Sequence, residues 1–353
     1  MPFLYMNWGG KPMSGKTDGF TKIRDGHDEP ILDPAMPIID TLHHLFDRGP
    51  LRFMLEDYLA CASLGHNIIG SVYVETQAMM RADGPRALRP LGEIEFATGV
   101  AAMAASGVYG SCRVAAGIVG YADMTLGDDI APLLDRAMAM APERFQGVRQ
   151  IALAHPDPNV LRFLTNRPPA DLLKHPALPH ALRQLGLRGL SFEATVLHHQ
   201  MPELAGVVAR NDGTSFVLSH MGLATAPGTG PQARAEVFDI WRDNLRGLAR
   251  QPNIVCKIGG LGTSYWGFGF NTRPGPVTSE ELAETWKPYI ETAIEAFGPD
   301  RCMMESDYPN DGRSCGFVPL WNAYKRVVGS HSAAEQAALF HGTARRFYRL
   351  DIP

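Results

Sequence analysis

From Pro37 onward the chain alternates short apolar runs, rich in β-branched residues, with longer stretches in which apolar residues recur every three or four positions. A short apolar run suits a strand buried on both faces, and the longer amphipathic stretch suits a helix that covers a parallel sheet. Eight such runs occur, at residues 37–40, 68–74, 114–119, 147–151, 190–196, 216–219, 254–258 and 302–305. Helices are predicted between them, including 131–140, 202–209, 233–248 and 280–297. Ser279 precedes the last as a capping-box-like residue, although Leu282 in the reciprocal position cannot return the hydrogen bond. Eight βα units close a barrel, so the pattern predicts an α/β fold, a single-domain (β/α)8 TIM barrel over residues 37–353. Residues 1–36 lack periodicity and read as an N-terminal arm. Two long loops, a Gly/Pro/Thr segment at 222–232 and a Gly/aromatic segment at 259–277, follow predicted strands. In a barrel that places them at the C-terminal face, where active sites are built.

The same face collects the polar residues that end these strands. The first runs into Asp40-Thr41-Leu42-His43-His44, the fifth into His198-His199, the sixth into Ser219-His220, and the eighth into Glu305-Ser306-Asp307-Tyr308-Pro309. In the fourth strand, the Arg149 fork suits either bidentate binding of a substrate carboxylate or a salt bridge within the barrel wall. Lys257 in the seventh admits the same two readings, with structural pairing favoured because its strand is otherwise apolar. Tyr265, Trp266, Phe268 and Phe270, interleaved with glycine, form either an aromatic wall for a ligand or packing beneath the loop.

These residues carry a resemblance. The opening IIDTLHHLFD, the VLSHMG, NIVCKIGGL and ESDYP strands and the closing LFHGTARRFYRL resemble the amidohydrolase superfamily. Within it they are similar to the lactonase-rich branch that includes 2-pyrone-4,6-dicarboxylate lactonases and sugar-acid lactonases. The likeness spans about residues 37–350. It implies that Asp307 activates the attacking water and that His220, with His44, stabilises the carbonyl oxygen as charge develops. It adds His198, at the fifth strand, where metal-using relatives place a ligand; His199 is the other member of that pair. Arg149, Tyr265, Trp266 and Phe268 are then expected to bind substrate. The bland readings are a turn aspartate before Pro309 for Asp307, a structural strand-end residue for His220, and a core histidine bonded to Asp40 or a carbonyl for His44. Glu305 reads as a supporting carboxylate and Asp311 as a solvated one.

Two departures matter. The superfamily's first strand usually presents an HxH pair, two imidazoles on one side of a strand with period two, and here Leu42 stands in the first place while His43 points the other way. A zinc site of three or four protein ligands is weakened by that loss, so no cofactor is expected. The alternative is zinc on His44, His198, His220 and Asp307, in a metal-dependent amidohydrolase or decarboxylase. Second, His220 is followed by Met221-Gly222-Leu223 rather than by an arginine, which argues against a tricarbonyl diacid substrate.

Composition removes other classes. The net charge is only -4 and no long Lys/Arg run occurs, so a nucleic-acid partner is not expected. Cys61, Cys112, Cys256, Cys302 and Cys315 form no CxxC pair, and no apolar run reaches membrane-spanning length. The expectation is a cytoplasmic hydrolase of a small-molecule lactone or related ester, with homo-oligomerisation left open. A third reading, from another class, is a barrel without chemistry that binds a ligand or serves in an assembly. Gly9-Gly10-Lys11 and Gly15-Lys16-Thr17 have the wrong spacing for a phosphate loop, and no Gly-x-Ser-x-Gly elbow is present.

Overall fold

Each of the eight apolar runs forms a strand, and the eight pair in chain order into one parallel sheet. They are β1 (Pro37–His43), β2 (Asn67–Val74), β3 (Arg113–Tyr121), β4 (Phe145–Ile151), β5 (Ser191–Thr195), β6 (Ser215–Leu218), β7 (Ile254–Ile258) and β8 (Cys302–Met304). The computed structural model describes residues 29–352 except 50, 163, 165 and 226–230, so most of the expected arm, the phosphate-loop lookalike and part of the 222–232 loop lie outside the described residues. One helix follows each strand: α1 (Leu55–Ala62), α2 (Leu91–Ala105), α3 (Ala131–Met140), α4 (Leu178–Gly186), α5 (Met201–Ala209), α6 (Pro231–Ala249), α7 (Ser279–Phe297) and α8 (Phe317–Val327). None of the described helices is long and apolar enough to cross a membrane.

Closure between β1 and β8 is made by polar groups. His43 bridges Tyr308 in parallel register, and the Asp307 amide donates to the Leu42 carbonyl at 3.0 Å. Asp40, wholly buried, accepts from the Ser306 amide at 2.8 Å, the Ser306 hydroxyl at 2.6 Å and the Tyr58 hydroxyl at 3.0 Å. Burial pushes its carboxyl up to about 7 against the pull of those donors. Asp40 is therefore the clasp of the barrel and is not bonded to His44.

The start of α7 falls one residue away from the sequence expectation. Thr278 is the extended cap residue; its hydroxyl accepts from the Glu281 amide at 3.3 Å and the Glu281 carboxylate accepts from the Thr278 amide at 3.0 Å. The box is complete once Thr278, rather than Ser279, is taken as its first member.

Inside the barrel, Ile39, Leu42, Val72, Val217 and Met303 pack with Tyr348, Leu350 and Ile352 from the chain's C-terminal tail. Gly70 in β2 makes room for that tail, since a Cβ there would come within 2.5 Å of Ile352. Lys257 pairs with Glu193 at 2.7 Å with both side chains fully buried, and the Tyr348 hydroxyl donates to the same carboxylate. Lys257 is thus the structural member of the interior that its apolar strand suggested. With this packing filling the barrel, the open space lies where the strands end.

Candidate active site

β1, β6 and β8 each end on a residue too polar for the packed interior, and the fold brings the three together. His44, His220 and Asp307 wall a cavity of about 150 Å³ at the barrel mouth. Asp307 and His220 both have positive φ, 50° and 53°, a left-handed conformation that aspartate and histidine tolerate better than branched residues. The chain therefore turns immediately after β6 and β8.

His44 Nδ1 lies 2.9 Å from the Val74 carbonyl. A carbonyl only accepts, so Nδ1 carries a proton, and Nε2 is the ring atom 3.4 Å from Asp307 Oδ1. Asn310 donates to the same oxygen at 3.0 Å. The second carboxylate oxygen of Asp307, Oδ2, is buried without a hydrogen-bond partner. His220 Nδ1 meets Glu305 Oε1 at 2.5 Å, which fixes the ring and leaves Nε2 for the cavity. Burial disfavours charge on both central groups, but the neighbours prevail. For Asp307 the desolvation is outweighed by His220 and His44, which hold its carboxyl below the usual range. For His220 it is outweighed by Glu305 and Asp307, which raise its imidazole. The two shifts favour a carboxylate on Asp307 and a protonated ring on His220.

The Gly259-Gly260 pair after β7 explains the glycines of the NIVCKIGGL stretch. A Cβ at Gly259 would lie 2.3 Å from Glu305 Cγ, and one at Gly260, whose φ is +64°, would lie 2.4 Å from His220 Nδ1. Only glycine lets the backbone lie against this pair.

The remaining expected residues divide. Arg149 forms the salt bridge of the barrel wall through Nε, 2.9 Å from the Glu75 carboxylate, while Nη2 donates to the Glu75 main-chain carbonyl at 2.7 Å; it also borders the cavity. Tyr265 lines the cavity. Trp266 and Phe268 instead pack beneath the loop against Tyr289, with ring centroids 5.1 Å and 5.5 Å from it, and Trp266 Nε1 donates to the Gly260 carbonyl. His198 does not line the cavity: its Nδ1 accepts from the Thr225 amide at 3.3 Å, its carbonyl accepts from Asn244, and burial pushes its pKa down to about 4. His199 bonds the Ala154 carbonyl and is exposed. β5 ends earlier, at Thr195, and Thr195 reaches the cavity in their place. Asp311 is fully buried rather than solvated, packed where Gly262 has no side chain, and burial pushes its carboxyl well above the usual range.

Sequence reading passed over Glu75, Thr195, Asn310 and Arg313. Glu75 ends the second apolar run as Asp307 follows the eighth, so the same strand-end signal was available for it. Asn310 and Arg313 sit in a loop whose path no local pattern gives.

A zinc set built on the first-strand HxH pair would lack one of its imidazoles here. Leu42, where an HxH pair would have its first imidazole, is fully buried among the apolar interior residues and supplies no ligand. Among the described residues no group of three His, Cys, Asp or Glu side chains is arranged to hold a metal ion.

Comparison with known proteins gives relatives over most of the chain. It is 32% identical over 298 residues to the uncharacterized protein y4mH of Sinorhizobium fredii, covering 84% of this chain and 86% of that one. It is 32% identical over 165 residues to an L-fucono-1,5-lactonase of Burkholderia multivorans, covering 46% of this chain and 52% of the relative. Among solved structures, an amidohydrolase of Burkholderia multivorans with bound HEPES superposes with a TM-score of 0.66 at 24% identity, over 89% of this chain and 99% of that one; an amidohydrolase of Burkholderia multivorans with bound zinc superposes with a TM-score of 0.65 at 23% identity over the same shares. The Amidohydrolase family matches residues 39–350, and the chain belongs to that family.

Proposed function

We propose that this chain hydrolyses a small-molecule lactone without a bound metal, Asp307 acting as the base that activates water. One observation carries the reading: a wholly buried carboxylate with an unpartnered Oδ2 forms part of a cavity wall that also holds two histidines. The relatives of Burkholderia multivorans and Burkholderia ambifaria that bear the name L-fucono-1,5-lactonase support lactone as the substrate class.

Asp307 Oδ2 takes a proton from water as the water oxygen bonds to the lactone carbonyl carbon. The carbonyl π electrons move onto its oxygen, where the Nε2 proton of His220 stabilises the developing charge. Collapse of the tetrahedral intermediate breaks the bond to the ring oxygen, which leaves with the proton held by Asp307. The product is a hydroxy acid. Glu305 keeps His220 protonated on Nδ1, and Asn310 donates to the other Asp307 oxygen, so Oδ2 is the one left to work.

Asp307→Asn tests this, because the amide preserves shape and loses the base. Turnover on a lactone panel should fall by about 10²–10⁴-fold with the circular dichroism spectrum unchanged. A folded variant keeping a tenth of the native rate removes Asp307 from the role. The native protein should also show neither stoichiometric metal by mass spectrometry nor loss of rate on chelation. One equivalent of metal together with chelator-sensitive activity overturns the metal-free part and returns His44, His220 and Asp307 to the ligand set. Tight binding of lactones with no turnover of any supports a binding barrel instead.

A further inference from the structure

A second cavity of about 200 Å³ opens beside the first. His44, Arg149 and Asn310 wall both, so the two are compartments of one cleft. The reacting groups Asp307 and His220 belong to the first compartment. The second lies over the ends of β1 to β4, walled by Arg48 in the hairpin after β1, Gln77 after β2, Tyr121 at the end of β3, and Asn166 and Arg167 in the loop after β4.

The charge of this cleft runs against that of the chain. The protein carries a net charge of -4, yet the two compartments present four arginines, Arg48, Arg149, Arg167 and Arg313, against two carboxylates, Glu75 and Asp307. Asp307 is committed to the histidines, and Glu75 to Arg149. Arg167 is exposed and makes no ion pair or hydrogen bond among the described residues. The wall that holds Arg48 is also rigidly built. Arg48 donates to the Thr76 carbonyl, and that loop is pinned by the buried Glu93, whose Oε1 accepts from the Thr76 amide at 2.7 Å and the Gln77 amide at 3.0 Å. A preorganised, cationic compartment with amide and phenol groups beside it suits an anionic, hydroxylated ligand end.

We infer that the second compartment binds a carboxylate at the far end of the substrate, so that the lactone is an acidic one rather than a neutral one. This rests on the lactonase reading and narrows its substrate class. The arginines concerned stand after β1 and β4, not after β6, so this recognition is independent of the arginine missing after His220.

The test compares glucarolactone, whose far end is a carboxylate, with gluconolactone, whose far end is a hydroxymethyl group, in native protein and in Arg167→Gln and Arg48→Gln. Charge-assisted hydrogen bonds correspond to about 10–100-fold, so kcat/KM should favour glucarolactone by at least about tenfold. That preference should shrink by about tenfold in Arg167→Gln, and shrink in Arg48→Gln too. Equal or better turnover of gluconolactone by the native protein, or a preference that neither substitution alters, overturns the inference. The corresponding lactams, which resist hydrolysis, are titrated by calorimetry in parallel. If no lactone is turned over, the lactonase reading fails by itself. In that case tighter binding of the acidic lactam, lost in Arg167→Gln, still upholds the anion compartment, and equal binding or none overturns it.

Discussion

Asp307 and His220 stabilise each other's charge inside a cavity wall that would otherwise neutralise both. Their shifts point in opposite directions, the carboxyl held low and the imidazole raised, which is the separation that the proposed base and acid require. The profile of kcat/KM against pH should therefore have an acid limb at the ionisation of Asp307 and an alkaline limb at that of His220. A group with a raised pKa stays protonated past its ordinary value and loses its proton only as pH climbs through the raised one. Glu305→Gln removes the carboxylate that heads the interactions raising His220, so the alkaline limb should move to lower pH while the protein stays folded. An alkaline limb that does not move would show that His220 is not the titrating acid. Much of this pair was legible beforehand, because a polar residue at the end of an apolar barrel strand has few structural reasons to be there. His198 carried the same signal and lies off the cavity, since β5 stops at Thr195 and three further residues take the chain past the wall.

At the level of elements, the loop after β7 seats the pair made by β6 and β8. Gly260 is held at φ +64° with His220 Nδ1 at 2.4 Å from where a Cβ would stand. Gly269 in the same loop has φ +79° but nothing nearer than 4.0 Å. Substituting alanine at either should cost roughly 1 kcal/mol of backbone strain. Gly260→Ala must in addition displace His220, so its kcat should fall by an order of magnitude more than that of Gly269→Ala. Equal kinetic losses in the two variants would mean that the seat of His220 does not depend on this contact. The sequence shows the glycines; which of them faces a histidine is a property of how two loops from different strands meet.

Over the whole molecule, the interior is filled by both apolar and ionic packing. Lys257, Glu193 and Tyr348 join β7, β5 and the C-terminal tail inside the barrel. Lys257→Met leaves Glu193 buried without its cation and should lower the unfolding free energy by about 3–5 kcal/mol, measured by denaturant titration. Adding Glu193→Leu should recover much of that loss, because the second substitution removes the stranded charge. A single variant as stable as the native protein would show that water reaches this pair.

The chain's own pattern determined the barrel, because strand number, strand length and the alternation with helices are local consequences of burying apolar runs under amphipathic ones. It also determined which residue types stand at the strand ends, and so named His44, His220 and Asp307. Tertiary structure alone decided that Glu305 holds His220 through Nδ1, that Glu75 holds Arg149, that Trp266 and Phe268 pack under the loop, and that Asp311 is buried. Each of those outcomes depends on where two distant segments cross. A hydrophobic period fixes the face a residue occupies on its own element, but a hydrogen bond or a buried charge is set by the partner that another element delivers within a few ångströms.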